Sequence, residues 1–200
     1  MILFSKKYFL IFALSSSLIF TLEIPLNEDN DWEVLQSNPV LIKFKIHNNF
    51  PFCHSNKTIE ASINEIIELL EDKKNYFKVF DRIEYSKPLT ADIVHIKIDM
   101  PFPFSGRDYI VKYKKEIRKN NDIIFTFEAT NEIKIPLDSR YVRLINASGA
   151  WILKPTDSNK TSVTYIWNGE LLGDFPDWAL TRAWIEQGNE VFAWIERAFN

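Results

Sequence analysis

From residue 93 to residue 167 the chain repeats at a period of two. From residue 176 to its end it repeats at the period of a helix. That order restricts the fold more than any other feature. Residues 93–100 set Val94, Ile96, Ile98 and Met100 against His95, Lys97 and Asp99, and residues 107–117 set Arg107, Tyr109, Val111 and Tyr113 against Asp108, Lys112, Lys114 and Glu116. Asn120, Asn121 and Asp122 mark a turn. Residues 123–130, 141–147, 150–153 and 161–167 supply further strands. Strands in close succession predict an antiparallel sheet with one wet face and one covered face. The cover is at hand in the closing helix, where Trp178, Ile185, Phe192 and Phe199 recur every seven residues with Val191 and Ile195 beside them. Pro176 suits its first turn, and Asp174 and Asp177 suit the positive end of its dipole. Gly188 falls on the apolar stripe, where it marks close packing on the sheet, a bend, or room for a ligand.

Upstream, residues 40–47 alternate with Val40, Ile42, Phe44 and Ile46 on one face, and residues 57–61 read as a short strand. Ser62 and Glu65 have capping-box spacing ahead of Ile63, Ile66, Ile67 and Leu70, so a helix starts there and its pattern extends toward Tyr76, Phe77 and Phe80. The class is α+β.

The first 22 residues stand apart. Lys6 and Lys7 precede an apolar run diluted by Ser15, Ser16 and Ser17, too short for a comfortable span, and this reads as a signal peptide over 1–22. An uncleaved membrane anchor is the alternative. The expected location is accordingly secreted or periplasmic. Without those residues the chain carries 22 basic and 27 acidic side chains, a balance that argues against nucleic acid as a partner. Cys53 is the only cysteine, so no internal disulfide forms and stability rests on the core. The five glycines form no dinucleotide or phosphate loop, and neither H-E-x-x-H nor G-x-S-x-G occurs. His47, Cys53 and His54 make a weak metal constellation at loose spacing. His95, Lys97 and Asp99 share a strand face that reads as solvated in preference to an acid/base cluster. Lys112, Lys114, Lys115, Arg118 and Lys119 crowd one hairpin, either as a charge-protected edge or as a place for transient membrane contact with anionic lipid.

Four short motifs then occur in order. Residues 101–113, PFPFSGRDYIVKY, resemble the P-x-P-x-x-x-R-D segment of START domains, the lipid-transfer family related to steroidogenic acute regulatory protein. Tyr141, Val142 and Arg143 followed by residues 148–155 resemble the family's V-R and G-W-x-x-x-P elements, residues 161–165 its T-x-V-x-Y, and residues 173–178 its G-x-x-P-x-W. The resemblance covers residues 30–200. It implies a helix-grip fold, in which a curved antiparallel β-sheet wraps around a long C-terminal α-helix and encloses one lipid or other hydrophobic small molecule. No cofactor, metal or catalytic residue is implied, and a monomer is expected. On the strand and helix faces read above, the lipid-binding residues are Tyr109, Val111, Tyr113, Phe125, Phe127, Trp178, Ile185 and Phe192, with Arg107 and Arg143 as polar contacts. Arg107 has a second reading, as an anchor that pins the strand start through an acid or backbone carbonyls. Two other functions stay open: a cyclase- or hydrolase-type helix-grip enzyme, which requires a polar cluster facing the cavity, and an interaction module whose cavity is filled by its own aromatic rings.

Overall fold

A computed structural model describes residues 22–27, 31–173 and 175–200. The predicted leader lies outside these except for Leu22, and Asp174 is outside them too. Among the described residues, ten strands form one open sheet: β1 Glu33–Gln36, β2 Leu41–His47, β3 Phe50–Ile59, β4 Ile83–Pro88, β5 Ile93–Ile98, β6 Gly106–Ile117, β7 Ile123–Ala129, β8 Tyr141–Arg143, β9 Ser148–Asp157 and β10 Lys160–Asn168. The order across the sheet is β1-β2-β3-β10-β9-β7-β6-β5-β4. All of these neighbours are antiparallel, and β8 adds to β6 in parallel. Helices α1 (Ile63–Glu71) and α2 (Tyr76–Val79) cross one end, and α3 (Asp177–Phe199) lies in the concave face. This is the helix-grip arrangement.

The local signals account for most of it. Ser62 caps α1 by accepting from Glu65 N, while the Glu65 carboxylate accepts from Ser62 N at 2.8 Å. Ile66 and Leu70 then face the core. Along β5, β6, β7, β9 and β10 the inward set includes Val94, Ile96, Val111, Phe125, Phe127, Trp151, Leu153 and Val163, which pack with Val191, Phe192 and Ile195 of α3. At Gly188 the open question resolves as close packing. A Cβ there would come within 2.8 Å of Ile42 Cδ1, so the helix touches β2 at this point.

Four readings are revised. The strand expected at 57–61 begins at Phe50, because β3 is covered on both sides. Cys53 packs with Trp167 and Trp184 under α3, whereas Phe52 packs with Trp32, Ile152 and Ile166 on the convex face. Cys53 and His54 therefore project to opposite sides of β3 and cannot share an ion with His47. Two strands, β1 and β4, have no counterpart in the sequence reading, and the strand expected over 141–147 is only three residues long. Lastly, His95 is buried (4% exposed) and not solvated, because β8 lies beside β6 and brings Arg143 over that face.

The convex face also has a cover. Leu22, Ile24 and Leu26 pack on the cluster of Trp32, Phe52, Ile124, Ala150, Ile152 and Ile166, and the Glu23 carboxylate accepts from Asn48 in the β2–β3 turn. The packed unit thus includes residues ahead of position 30.

Candidate functional site

Between the sheet and α3 lies a cavity of about 520 Å³. Its wall is a run of aromatic rings. Trp151 and Tyr165 stack at 4.1 Å, Tyr165 and Trp167 at 4.8 Å, and Phe127 lies 5.7 Å from Tyr113 and 6.4 Å from Tyr165. Phe80 closes the chain of rings against Trp151 and Trp194. Strand register dictates this: Tyr113 pairs with Phe127, Phe127 with Gly149 and Gly149 with Trp167, so one inward row crosses four strands, and Tyr165 pairs with Trp151 in the next. Gly149 is required in that row. A Cβ there would approach Phe127 Cζ to 2.5 Å and the Ile166 carbonyl more closely still.

The mouth is made by three loops and the start of α3. Met100, Pro101, Phe102 and Phe104 come from the β5–β6 loop, Leu144, Asn146 and Ala147 from the segment before β9, and Leu171, Leu172 and Phe175 from the segment before α3. Phe104 and Phe175 meet at 4.6 Å across it. Phe102 (97% exposed) and Trp178 (86%) stand out into solvent at the rim. Trp178 leaves the core for a geometric reason: a seven-residue repeat drifts by roughly 20° per heptad on a straight helix, so residues in register at Phe192 are out of register two heptads earlier.

Of the residues selected from the sequence, Arg107, Tyr109, Tyr113, Phe127 and Trp178 line this cavity. Val111, Phe125 and Phe192 lie in the solid core, and Ile185 packs against its edge. Arg143 is elsewhere. Its Nε donates to Asp108 Oδ1, and its Nη2 reaches the Ile135 carbonyl, on the face of β6 away from the cavity. The sequence reading missed Trp151, Tyr165, Phe80, Trp194 and Gln187, all of which line the cavity. The first two were within reach, since Trp151 and Tyr165 share the alternation of Leu153 and Val163.

Arg107 and Asp108, adjacent in the chain, serve opposite sides of β6. Arg107 is 1% exposed, and its guanidinium donates to the carbonyls of Leu171 at 2.5 Å, Leu172 at 3.1 Å and Ser105. Leu172 holds a left-handed backbone (φ 51°), followed by Gly173 at 65°. The arginine thus fixes a strained turn five residues before α3. Asp108 is fully buried and accepts from His95 Nε2 at 2.7 Å and from Arg143 Nε. Two further arginines at the cavity are held by acids of α3: Arg82 binds Glu190 through two bonds of 2.6 Å, and Arg182 binds Glu186 at 2.8 Å. Burial pushes the Cys53 thiol well above its ordinary range, which leaves it unreactive.

No family model matches the chain. It is 32% identical over 124 residues to an uncharacterized protein of Pseudomonas aeruginosa, a match that covers 60% of this chain and 61% of that protein. The chain therefore spans less than two thirds of the curated relative it matches. Among solved structures, it is similar to the STAR-related lipid transfer protein of Xanthomonas axonopodis, with a TM-score of 0.73 and 18% identity over 84% of this chain and 98% of that one. It is also similar to human STARD10, with a TM-score of 0.75 and 14% identity over 85% of this chain and 73% of that one. Human StAR-related lipid transfer protein 5 gives 0.74 and 14%, over 86% and 88%. The class is thereby defined: the chain has the helix-grip fold of START domains.

Proposed function

We propose that this protein binds and carries one hydrophobic ligand in the cavity under α3, without performing chemistry on it. The observation that carries the reading is the wall itself, a void of about 520 Å³ bounded by stacked rings in a sheet otherwise packed solid. Burial contributes roughly 0.8 kcal/mol per CH₂, so a 16-carbon chain gains about 13 kcal/mol gross before ordering costs. The names of the similar structures, which are lipid transfer proteins, point the same way. An enzyme needs a polar cluster facing the ligand. Here His95 faces away from the cavity with Asp108, and Glu186 and Glu190 are each held by an arginine.

Native mass spectrometry of the purified protein tests the reading. A lipid should travel with it at near-unit stoichiometry. Ala183→Trp, on the cavity side of α3, should remove that lipid without lowering the unfolding temperature. A wild-type protein free of lipid, or an Ala183→Trp variant that still carries it, counts against the carrier.

The rim is the proposed membrane contact. The basic hairpin at the other end of β6 lies roughly 36 Å from the mouth at the usual rise per strand residue. In addition, Lys112 and Lys115 there are paired with Glu132 and Glu71. Phe102 and Trp178 stand at the opening instead. Replacing both by serine is expected to slow ligand transfer between vesicles about tenfold or more while equilibrium binding is unchanged. Transfer at the wild-type rate would remove the rim from the mechanism.

A further inference from the structure

The cavity's charged groups and its inner wall together select a class of ligand, an inference that rests on the carrier reading above. Three arginines and three glutamates line the chamber, so its formal charge is balanced. All three arginines are engaged within the protein: Arg107 by backbone carbonyls, Arg82 by Glu190 and Arg182 by Glu186. Glu170 accepts from Asn146 Nδ2 at 2.8 Å. A carboxylate or phosphate that approaches one of these arginines gains it only by taking it from an internal partner, so one contact is made as another is lost.

The inner wall offers something different. Tyr76 donates to the Leu70 carbonyl at 2.6 Å, and Tyr113 lines the cavity beside it. Tyr165 lines the same cavity, as does the Gln187 amide. Tyr109 lines the cavity and makes no side-chain hydrogen bond among the described residues. Burial pushes all four phenols up, so each is a neutral hydroxyl at ordinary pH. Tyr113 and Tyr165 flank Phe127, whose ring lies 5.7 Å from the first and 6.4 Å from the second, and Tyr109 lines the same cavity from β6. They form a group of uncharged donors and acceptors. Size adds a second limit: about 520 Å³ lies in the range of pockets that enclose one small ligand. That is one acyl chain or a compact ring system, not two chains with a phosphorylated headgroup.

We infer that the ligand is an uncharged lipid with a single chain or fused-ring skeleton, its hydroxyl or carbonyl oxygen held at Tyr109, Tyr113 and Tyr165 and its hydrocarbon directed toward the Phe102 and Trp178 mouth. Three probes of equal chain length test this on delipidated protein: hexadecanol, methyl hexadecanoate and hexadecanoate. Titration by native mass spectrometry is expected to show the alcohol and the ester binding about tenfold more tightly than the carboxylate. Tyr109→Phe and Tyr165→Phe, each made separately, should weaken hexadecanol about three- to tenfold with no change in unfolding temperature. Hexadecanoate binding as tightly as hexadecanol overturns this inference and leaves the carrier reading standing, as do phenylalanine variants that bind the alcohol like the wild type. Failure of all three probes, together with the absence of any co-purifying lipid, overturns both.

Discussion

Arg107→Met is expected to destabilise the protein by about 3–5 kcal/mol and to lower the unfolding temperature by roughly 10 °C. The side chain is almost fully enclosed, and methionine fills much of its volume, so packing loss is the smaller part. The larger part is three carbonyls, of Ser105, Leu171 and Leu172, left without a donor in a place where water has little access. Two of them belong to the turn in which Leu172 and Gly173 hold positive φ, and nothing else described bonds those carbonyls in place. Releasing that turn frees the entry to α3, so bound ligand should also exchange faster. Thermal unfolding and ligand off-rate check the two halves of the expectation. A variant within 2 °C of the wild type, an outcome set against the roughly 2–4 °C per kcal/mol of a domain this size, would remove the anchoring role.

The neighbouring substitution, Asp108→Ala, should cost a similar amount, about 3–5 kcal/mol, by a different route. Here the carboxylate is removed and its two donors remain. His95 and Arg143 lose their shared acceptor on a face where Asp108 is wholly enclosed. A half-buried guanidinium without its counter-charge is the expensive outcome, so adding Arg143→Leu should recover part of the loss. Denaturant unfolding of the single and double variants measures the coupling. Additive effects would mean that Asp108 and Arg143 do not act as a pair.

These two residues also show what the sequence discloses and what it withholds. Alternation placed Arg107 and Asp108 on opposite faces of β6, which is correct, and the cost of an unpaired buried arginine required an acid, a carbonyl or an anionic ligand beside it. What lay out of reach was the identity of the partners. Leu171 lies 64 positions away from Arg107, and Arg143 comes to Asp108 only because β8 docks in parallel. The same non-local contact buries His95, whose outward alternation otherwise signals water. Strands that carry one dry face were legible, as in β5, β6, β7 and β10, and so was the capping box of α1. Strand β3 was obscured because both of its faces are covered, so His54 and Ser55 sit buried in a stretch whose polarity suggests a loop. Strand β4, an edge strand with Glu84, Tyr85 and Lys87 exposed, gave no dry face to detect. For the cavity, periodicity identified the inward row but not where packing stops. Val111 is too short to reach the void between Tyr109 and Tyr113, and Phe125 lies beyond it, although all share one face.

The contact between Gly188 and Ile42 divides the last helix into two lengths with different amounts to lose. Before it, Trp178, Ala179, Arg182, Ala183, Glu186 and Gln187 look onto empty space; after it, Glu190, Val191 and Trp194 still border that space, while Phe192 and Ile195 are keyed into the solid interior. Lifting the front length therefore breaks fewer packed contacts than lifting the rear length would.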